Sequence, residues 1–406
     1  MIINNKRALA YIAKINSITP LEGYDRVEYA HIGGWGVVVS KNDNFQPGGL
    51  CIYIETDSLV PNDDERFAFM AKRNYKVKIQ KMCKVYSQGL IMPLSSFPEI
   101  KNPKENEDVT DILGITYYVK EDNQRKSDGN SKPNYKSLGA KHPKLFKTKP
   151  IRWLMRREWG RKLLNKIFSG KKKTDTSRRF PTHFPYISKT DEERIENLPH
   201  LIGYKNPLVV TEKLDGTSST YILERVGNNR LHPKLQKFEF YVCSRNVRMK
   251  DEKQETYFTK SNVDEKNIYW NNAFKYNIRE HLEQYLNDYP ELQYVCIQGE
   301  SVGTSIQGNP LKLESQDLYV FNFIRSDIGR INSVFARDIV EGWGMKWVPI
   351  LDTNYIMPDD METFKLYADG KSEVNPKVNR EGVVLRDPTC NLSFKNVSRK
   401  YLEKHN

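Results

Sequence analysis

Thr211-Glu212-Lys213-Leu214-Asp215-Gly216-Thr217 is the stretch on which the reading of the fold turns. The apolar run Leu208–Val210 precedes it and Ser219–Leu223 follows, so the pattern is strand, lysine, glycine turn, strand. At average residue usage a lone Lys-x-Asp-Gly match arises by chance in roughly one chain of this length in ten, and then describes a hairpin with a solvated lysine. Four further segments follow in order: Ile297-Gln298-Gly299-Glu300-Ser301-Val302-Gly303, Tyr319-Val320-Phe321-Asn322-Phe323, Glu381-Gly382-Val383-Val384-Leu385-Arg386 and Leu392-Ser393-Phe394-Lys395. Each alone reads as a strand end or a turn. The ordered set is far more specific.

In order and content these segments resemble the covalent nucleotidyltransferase superfamily of ATP-dependent ligases and capping enzymes. The resemblance implies that Lys213 is a nucleophile that takes up AMP from ATP. A lysine attacks an α-phosphate only as the free amine, yet its reference pKa is about 10.4. A neighbouring cation or a bound metal disfavours the ammonium. Lys395, with a divalent ion held by Asp215, Glu300 and Glu381, would supply that effect at Lys213. These carboxylates are hard oxygen ligands suited to Mg²⁺ or Mn²⁺. The same cations would stabilise the charge that gathers on the α-phosphate in the transition state.

Within the superfamily, DNA ligases and capping enzymes generally place an arginine five positions after the nucleophile, where this chain has Ser218. The Glu-Lys-x-x-Gly-Thr pattern is similar to RNA ligases instead. The resemblance implies that Glu212 reads the adenine amino group, that Phe321 stacks on the base, and that Arg245 of Ser244-Arg245-Asn246 contacts ribose or substrate phosphate. Gly216 completes the nucleotide-binding motif. The terminal motif usually carries two lysines two apart; here Ser393 takes the first position, so Lys395 alone is carried over.

Ahead of this core, residues 1–120 read as short strands. Val37–Val39 follows the Gly33-Gly34 turn, and Cys51–Glu55 follows Gln46-Pro47-Gly48-Gly49. Tyr75, Val77 and Ile79 alternate with Lys76, Lys78 and Gln80, a period of two, and Leu90–Leu94 follows Ser87-Gln88-Gly89. Such spacing predicts a small β-barrel, of which an OB-like barrel is one form. The chain ends 11 residues beyond Lys395, too few for an OB module after the core. An OB-like module in front and a nucleotidyltransferase domain behind resemble the fifth family of RNA ligases. Ser87-Gln88-Gly89-Leu90 and Lys189-Thr190-Asp191-Glu192-Glu193-Arg194 are further matches. That family implies a place near the ATP phosphates for Arg194, with a structural salt bridge at a helix start as the plainer reading. Lys377 is a candidate for the phosphates or the metal.

The fold class expected is α+β: an OB-like β-barrel followed by a nucleotidyltransferase domain of ATP-grasp-like antiparallel sheets and helices. The domains expected are 1–120, a basic linker or insertion at 121–180 that the resemblance does not cover, and the ligase domain at 181–406. In the last of these, Asn271–Tyr289 has helical spacing, with His281 packed or solvated rather than a metal ligand.

Composition limits the function classes. The net charge is +13, and between Arg125 and Arg179 there are 19 basic and three acidic side chains, so the excess is local. Such a block fits a polyanion partner. Ile151–Phe168 reads as a basic amphipathic helix opened by Pro150, with Arg156, Arg157, Arg161 and Lys162 available to an RNA backbone. A packed surface helix and an anionic lipid surface are its other readings. No apolar run of 18 residues and no secretory pattern is present, and the five cysteines are far apart, which predicts no membrane span, no zinc or disulfide framework, and an intracellular, cytoplasmic setting. The function expected is ATP-dependent sealing of an RNA 3′-hydroxyl to a 5′-phosphate by a monomer, on broken or nicked RNA and on an RNA–DNA hybrid duplex. A DNA-sealing ligase, a GTP-using capping enzyme and a basic nucleic-acid-binding protein without catalysis are the alternatives.

Overall fold

A computed structural model of the chain describes residues 1–3, 6–118, 187, 192–226, 237–245, 248–249 and 267–405. The basic helix expected at 151–168, with Arg156, Arg157, Arg161 and Lys162, lies outside the described residues, as do Lys189, Thr190 and Asp191.

In the front half, β1 (Ala10–Lys14), β5 (Leu50–Ile54) and β8 (Leu90–Pro93) form one three-stranded sheet, with β5 central. A second sheet joins β2 (Ser17–Leu21), β3 (Tyr24–Ile32) and β4 (Trp35–Ser40), and β6 (Ile79–Met82) pairs with β7 (Val85–Gln88). Side chains alternate faces along a strand, so a strand covered on both sides is apolar throughout. That accounts for Ala10-Tyr11-Ile12-Ala13 and Leu50-Cys51-Ile52-Tyr53-Ile54. Ile12, Ile52 and Ile54 pack with Phe67, Val77, Phe97 and Val109, whereas Tyr11, Ala13, Cys51 and Tyr53 pack with Trp35, Val37 and Ile91.

One period-two expectation fails in part. Asn74 and Tyr75 have φ of 50° and 59°, so the chain turns there after the 3₁₀ segment Glu65–Arg73, and strand structure begins at Ile79. Lys76 points inward, with its ammonium 3.6 Å from the centre of the Tyr118 ring.

The rear half is built on two sheets. The five-stranded sheet runs β9 (Glu193–Arg194), β17 (Ser393–Val397), β16 (Gly382–Arg386), β10 (Leu208–Lys213) and β15 (Ile350–Tyr355). The second sheet runs β12 (Lys237–Ser244), β11 (Thr217–Val226), β13 (Tyr294–Val302) and β14 (Asp317–Arg325), extended by Gly329–Arg330. The strands either side of the 211–217 stretch therefore do not pair as a hairpin. β10 enters one sheet and β11 the other, and Leu214-Asp215-Gly216 crosses between them.

The helices are α1 (Ile268–Lys275), α2 (Ile278–Asp288), α3 (Ser333–Gly342), α4 (Met361–Tyr367) and α5 (Arg399–His405). The single helix expected over 271–289 is broken at Asn277, whose φ of 46° is left-handed, a conformation asparagine tolerates better than most residues. His281 stacks on Trp343 with ring centres 5.3 Å apart.

The halves meet at the Ser87-Gln88-Gly89 element. Gln88 Nε2 donates to Glu196 Oε1 at 3.2 Å, Gly34 N to the Glu196 carbonyl at 2.7 Å, and Trp35 Nε1 to Asn197 Oδ1 at 2.7 Å. The buried Lys365 of α4 reaches Gln88 Oε1 at 3.3 Å and the Gly34 carbonyl.

Candidate active site

Lys213 ends β10, opposite Gly382 of β16, one residue past Glu381. Its ammonium donates to Glu381 Oε2 at 2.6 Å. Glu300 lies on β13, whose register sets it opposite Ser218 on one side and Tyr319 on the other. Asp215 lies in the crossing. Lys395 of β17 sits opposite Val384 and, in parallel, opposite Arg194 of β9. Residues from four motifs thus converge on one place.

Gly216 is required by close approach: a Cβ there would lie 2.2 Å from the Ser301 carbonyl oxygen. This is how the crossing packs against β13.

Burial alone would discharge Lys213, but the nearby charges of Glu381, Glu300 and Asp215 and the Glu381 hydrogen bond outweigh it and raise its pKa. The protein's own groups hold Lys213 as an ammonium, not as the free amine. The carboxylates move the other way. Burial, reinforced by Glu381 and Asp215 and opposed by Lys213, pushes Glu300 up to about 8. Burial also raises Glu381, against the pull of Lys213 and, more weakly, Lys395. Burial and the mutual repulsion of three crowded carboxyls outweigh the cations beside them.

A divalent ion fits this donor set, because burial and crowding make ionisation of these carboxyls costly and a cation among them would relieve that cost. Among the described residues, no three His, Cys, Asp or Glu side chains form a ready cage. Holding an ion by one or two carboxylates, completed by phosphate oxygens and water, is the habit of Mg²⁺.

Glu212 fits a purine amine. Its Oε2 accepts from Glu373 N at 2.8 Å, whereas Oε1 is buried with no hydrogen-bond partner. Burial raises its pKa. An orphaned buried acceptor is costly unless a guest donates to it.

Phe321 is half-buried on β14 at a β-bulge, where the register against β13 shifts between Gln298 and Gly299. Its carbonyl accepts from Arg386 Nη1 at 3.1 Å; Arg386 Nε donates to Ser393 Oγ at 3.1 Å and Nη2 to Glu192 Oε1 at 3.2 Å. Arg386 therefore ties the two sheets together, and the serine that replaces the expected lysine is its acceptor.

Arg194 is buried, 3.5 Å from Asp57 Oδ2 and 5.6 Å from the centre of the Trp35 ring, both in the front barrel. Its Nε and Nη1 are buried without hydrogen-bond partners. Its ion pair is made with the barrel while Arg194 itself sits at the start of the 3₁₀ turn Ile195–Asn197, so the plainer reading, a salt bridge at a helix start, describes its geometry. Arg245 lies in the exposed bend after β12, and Lys377 is exposed in the segment before β16.

Sequence reasoning missed Tyr401. It lies beyond every motif, and its hydroxyl donates to Asp215 Oδ2 at 2.7 Å. No local pattern marks it, because the two residues are 186 positions apart.

Residues 9–94 match a model of an OB-fold domain, and residues 206–402 match the RNA ligase family model. No curated protein sequence matches. Among solved structures, Naegleria gruberi RNA ligase with PPi superposes with a TM-score of 0.69 at 29% identity, covering 98% of this chain and 99% of that one. A variant of that ligase with ATP and Mn gives 0.68 at 29%, with the same coverage, and another with AMP and Mn gives 0.67 at 28%, again over 98% and 99%. Among the described residues no helix is long and apolar enough to cross a membrane.

Proposed function

We infer that this chain, an RNA ligase with an OB-fold domain in front of its ligase domain, joins RNA ends at the expense of ATP through an adenylated Lys213. The observation that carries the assignment of the nucleophile is Lys213 at the sheet crossing, 2.6 Å from Glu381 and flanked by Glu300 and Asp215. In the first step the Lys213 amine attacks the α-phosphorus of ATP. A P–N bond forms, the bond to the bridging oxygen breaks, and pyrophosphate leaves. The AMP then passes to an RNA 5′-phosphate, releasing the lysine. Finally an RNA 3′-hydroxyl attacks that phosphate and AMP departs.

In this reading Lys213 must first surrender its proton, and Glu381 is placed to relay it. Glu212 Oε1 accepts the adenine amino group, Phe321 stacks on the base, Lys395 and Arg194 meet the phosphates, and Arg245 and Lys377 serve ribose or phosphate from the rim. Mg²⁺ or Mn²⁺ would be held from among Asp215, Glu300 and Glu381, and when bound would disfavour the lysine ammonium and stabilise charge on the α-phosphate.

The division into 1–120, 121–180 and 181–406 assigns RNA grip to the barrel and the basic insertion. Neutralising Arg156, Arg157, Arg161 and Lys162 together should weaken RNA binding and flatten its salt dependence, while leaving the ATP-only step intact. Unchanged RNA affinity would return that segment to the readings of surface packing or a lipid contact. The chain acts inside the cell as a monomer, on nicked RNA and on RNA–DNA hybrid duplexes.

The test is incubation with α-labelled ATP and Mg²⁺. Label should appear on Lys213 and be absent from Lys213→Ala; equal labelling removes Lys213 as nucleophile. Parallel runs with labelled GTP, and with RNA or DNA on each side of a nick, separate the capping and DNA-sealing alternatives.

A further inference from the structure

We propose that Tyr401 is a positioning residue for Asp215 in adenylyl transfer, an inference that rests on Lys213 as the nucleophile. Asp215 sits in the short crossing between the two sheets, two residues past Lys213, where a carboxylate turns freely about its broad last torsion. The Tyr401 hydroxyl, 2.7 Å from Oδ2, fixes the plane of the carboxylate and leaves its other oxygen for the reacting centre.

Tyr401 is in turn fixed from several directions. It is 5% exposed, and its ring stacks on His405 with centres 4.0 Å apart. Its backbone N–H donates to Ser398 Oγ at 3.1 Å, and Ser398 Oγ donates to Asp369 Oδ1 at 2.6 Å. The rest of α5 is pinned as well. Arg399 pairs with Glu362 of α4 at 2.7 Å, Leu402 packs with Ile79 and Val397, and Glu403 accepts from the Tyr86 hydroxyl at 3.2 Å. A hydroxyl held by a helix anchored to β17, α4 and the barrel has little freedom of its own, which is what a group that orients another requires.

The expected effect follows from a hydrogen bond to a charged acceptor near the chemistry. Tyr401→Phe, which removes one oxygen from a buried ring, should slow the maximal rate of lysyl-AMP formation by about ten- to a hundredfold. Half-saturating ATP should stay near the wild-type value and the melting temperature should be nearly unchanged. Lys404→Gln, an exposed change on the same helix, should label at the wild-type rate.

The experiment is single-turnover labelling with α-labelled ATP over a range of ATP concentrations, alongside thermal melts of the same three full-length chains. A slower maximal rate with unmoved ATP dependence and melting temperature supports the role. A Tyr401→Phe chain that labels at the wild-type rate overturns it. So does one whose ATP dependence shifts while its maximal rate holds, or one that melts many degrees lower, which would make the tyrosine a support of the fold. A wild-type chain that takes no label overturns the nucleophile and this role with it, and is recognised before any variant is compared.

Discussion

At Lys213 three carboxyl groups crowd around the lysine, with Lys395 acting on one of them, whereas at Asp317 one carboxylate faces two ammonium groups. Asp317 begins β14 and accepts from Lys346 at 2.7 Å, from Lys275 at 2.9 Å and from the Tyr276 hydroxyl. Burial alone would raise Asp317, but the hydrogen bonds from Lys346, Tyr276 and Lys275 prevail and bring it down to about 2. At the other cluster burial wins: Glu300 is pushed up to about 8, and Glu381 also rises although it touches Lys213. Both are lysine–carboxylate pairings at hydrogen-bond distance. Deeper burial and like-charge crowding decide the outcome. The Asp317 cluster is satisfied and stabilises the fold, while the carboxyls around Lys213 are costly to ionise until a cationic guest joins them. A lysine–carboxylate contact is thus evidence of stability in one place and of unfinished binding in the other.

The sharpest way to break this contrast is Glu381→Gln. Lysyl-AMP formation should fall by roughly a hundredfold or more if Glu381 orients and relieves Lys213. The melting temperature should hold or rise. A carboxyl whose folded pKa lies above its unfolded value makes ionisation costly in the fold, and glutamine removes that cost. A large drop in melting temperature would show that the site is a structural cluster after all.

Asp317→Asn should do the reverse. From a fall between 3.8 and about 2, the carboxylate contributes roughly 2 kcal/mol. Its loss should lower the melting temperature by several degrees and leave labelling of Lys213 unaltered. The pH dependence sharpens the point. This contribution is fully present above about pH 4, the unfolded range, and is lost as pH falls through the folded value near 2. The wild-type chain should therefore lose stability more steeply than Asp317→Asn across that window in acid unfolding curves. The smallest effects belong to Lys275→Gln and Lys346→Gln. Both lysines are about half exposed, so each change should cost no more than about 1 kcal/mol in denaturant unfolding.

Much of the fold was legible because its signals are local. Leu208–Val210, Phe240–Cys243, Tyr294–Ile297, Leu318–Phe323 and Val383–Leu385 read as strands from short apolar runs, and each lies within a longer strand. Where a single residue took an unusual backbone setting the local signal failed. Apolar periodicity over 271–289 carries no mark of the left-handed Asn277, and the alternation over 75–80 none of the turn at Asn74 and Tyr75. At the site, the motifs located Glu212, Lys213, Asp215, Glu300, Glu381 and Lys395. They did not reveal Tyr401, the bond from Arg386 to the Phe321 carbonyl, or the barrel side chains around Arg194.

The sequence by itself determined which segments become strands, the order of the motifs along the chain, and the identity of the lysine and carboxylates. Each of these depends on residues within a few positions of one another, through backbone preference and alternating burial. Tertiary structure decided how many charges meet, which of them remain unmatched, and whether Lys213 carries a proton. Lys213 and Glu381 are 168 positions apart and Asp215 and Tyr401 are 186. Coulomb energy and desolvation depend on distance in space, which is fixed only when β10, β13, β16 and α5 close around the same point.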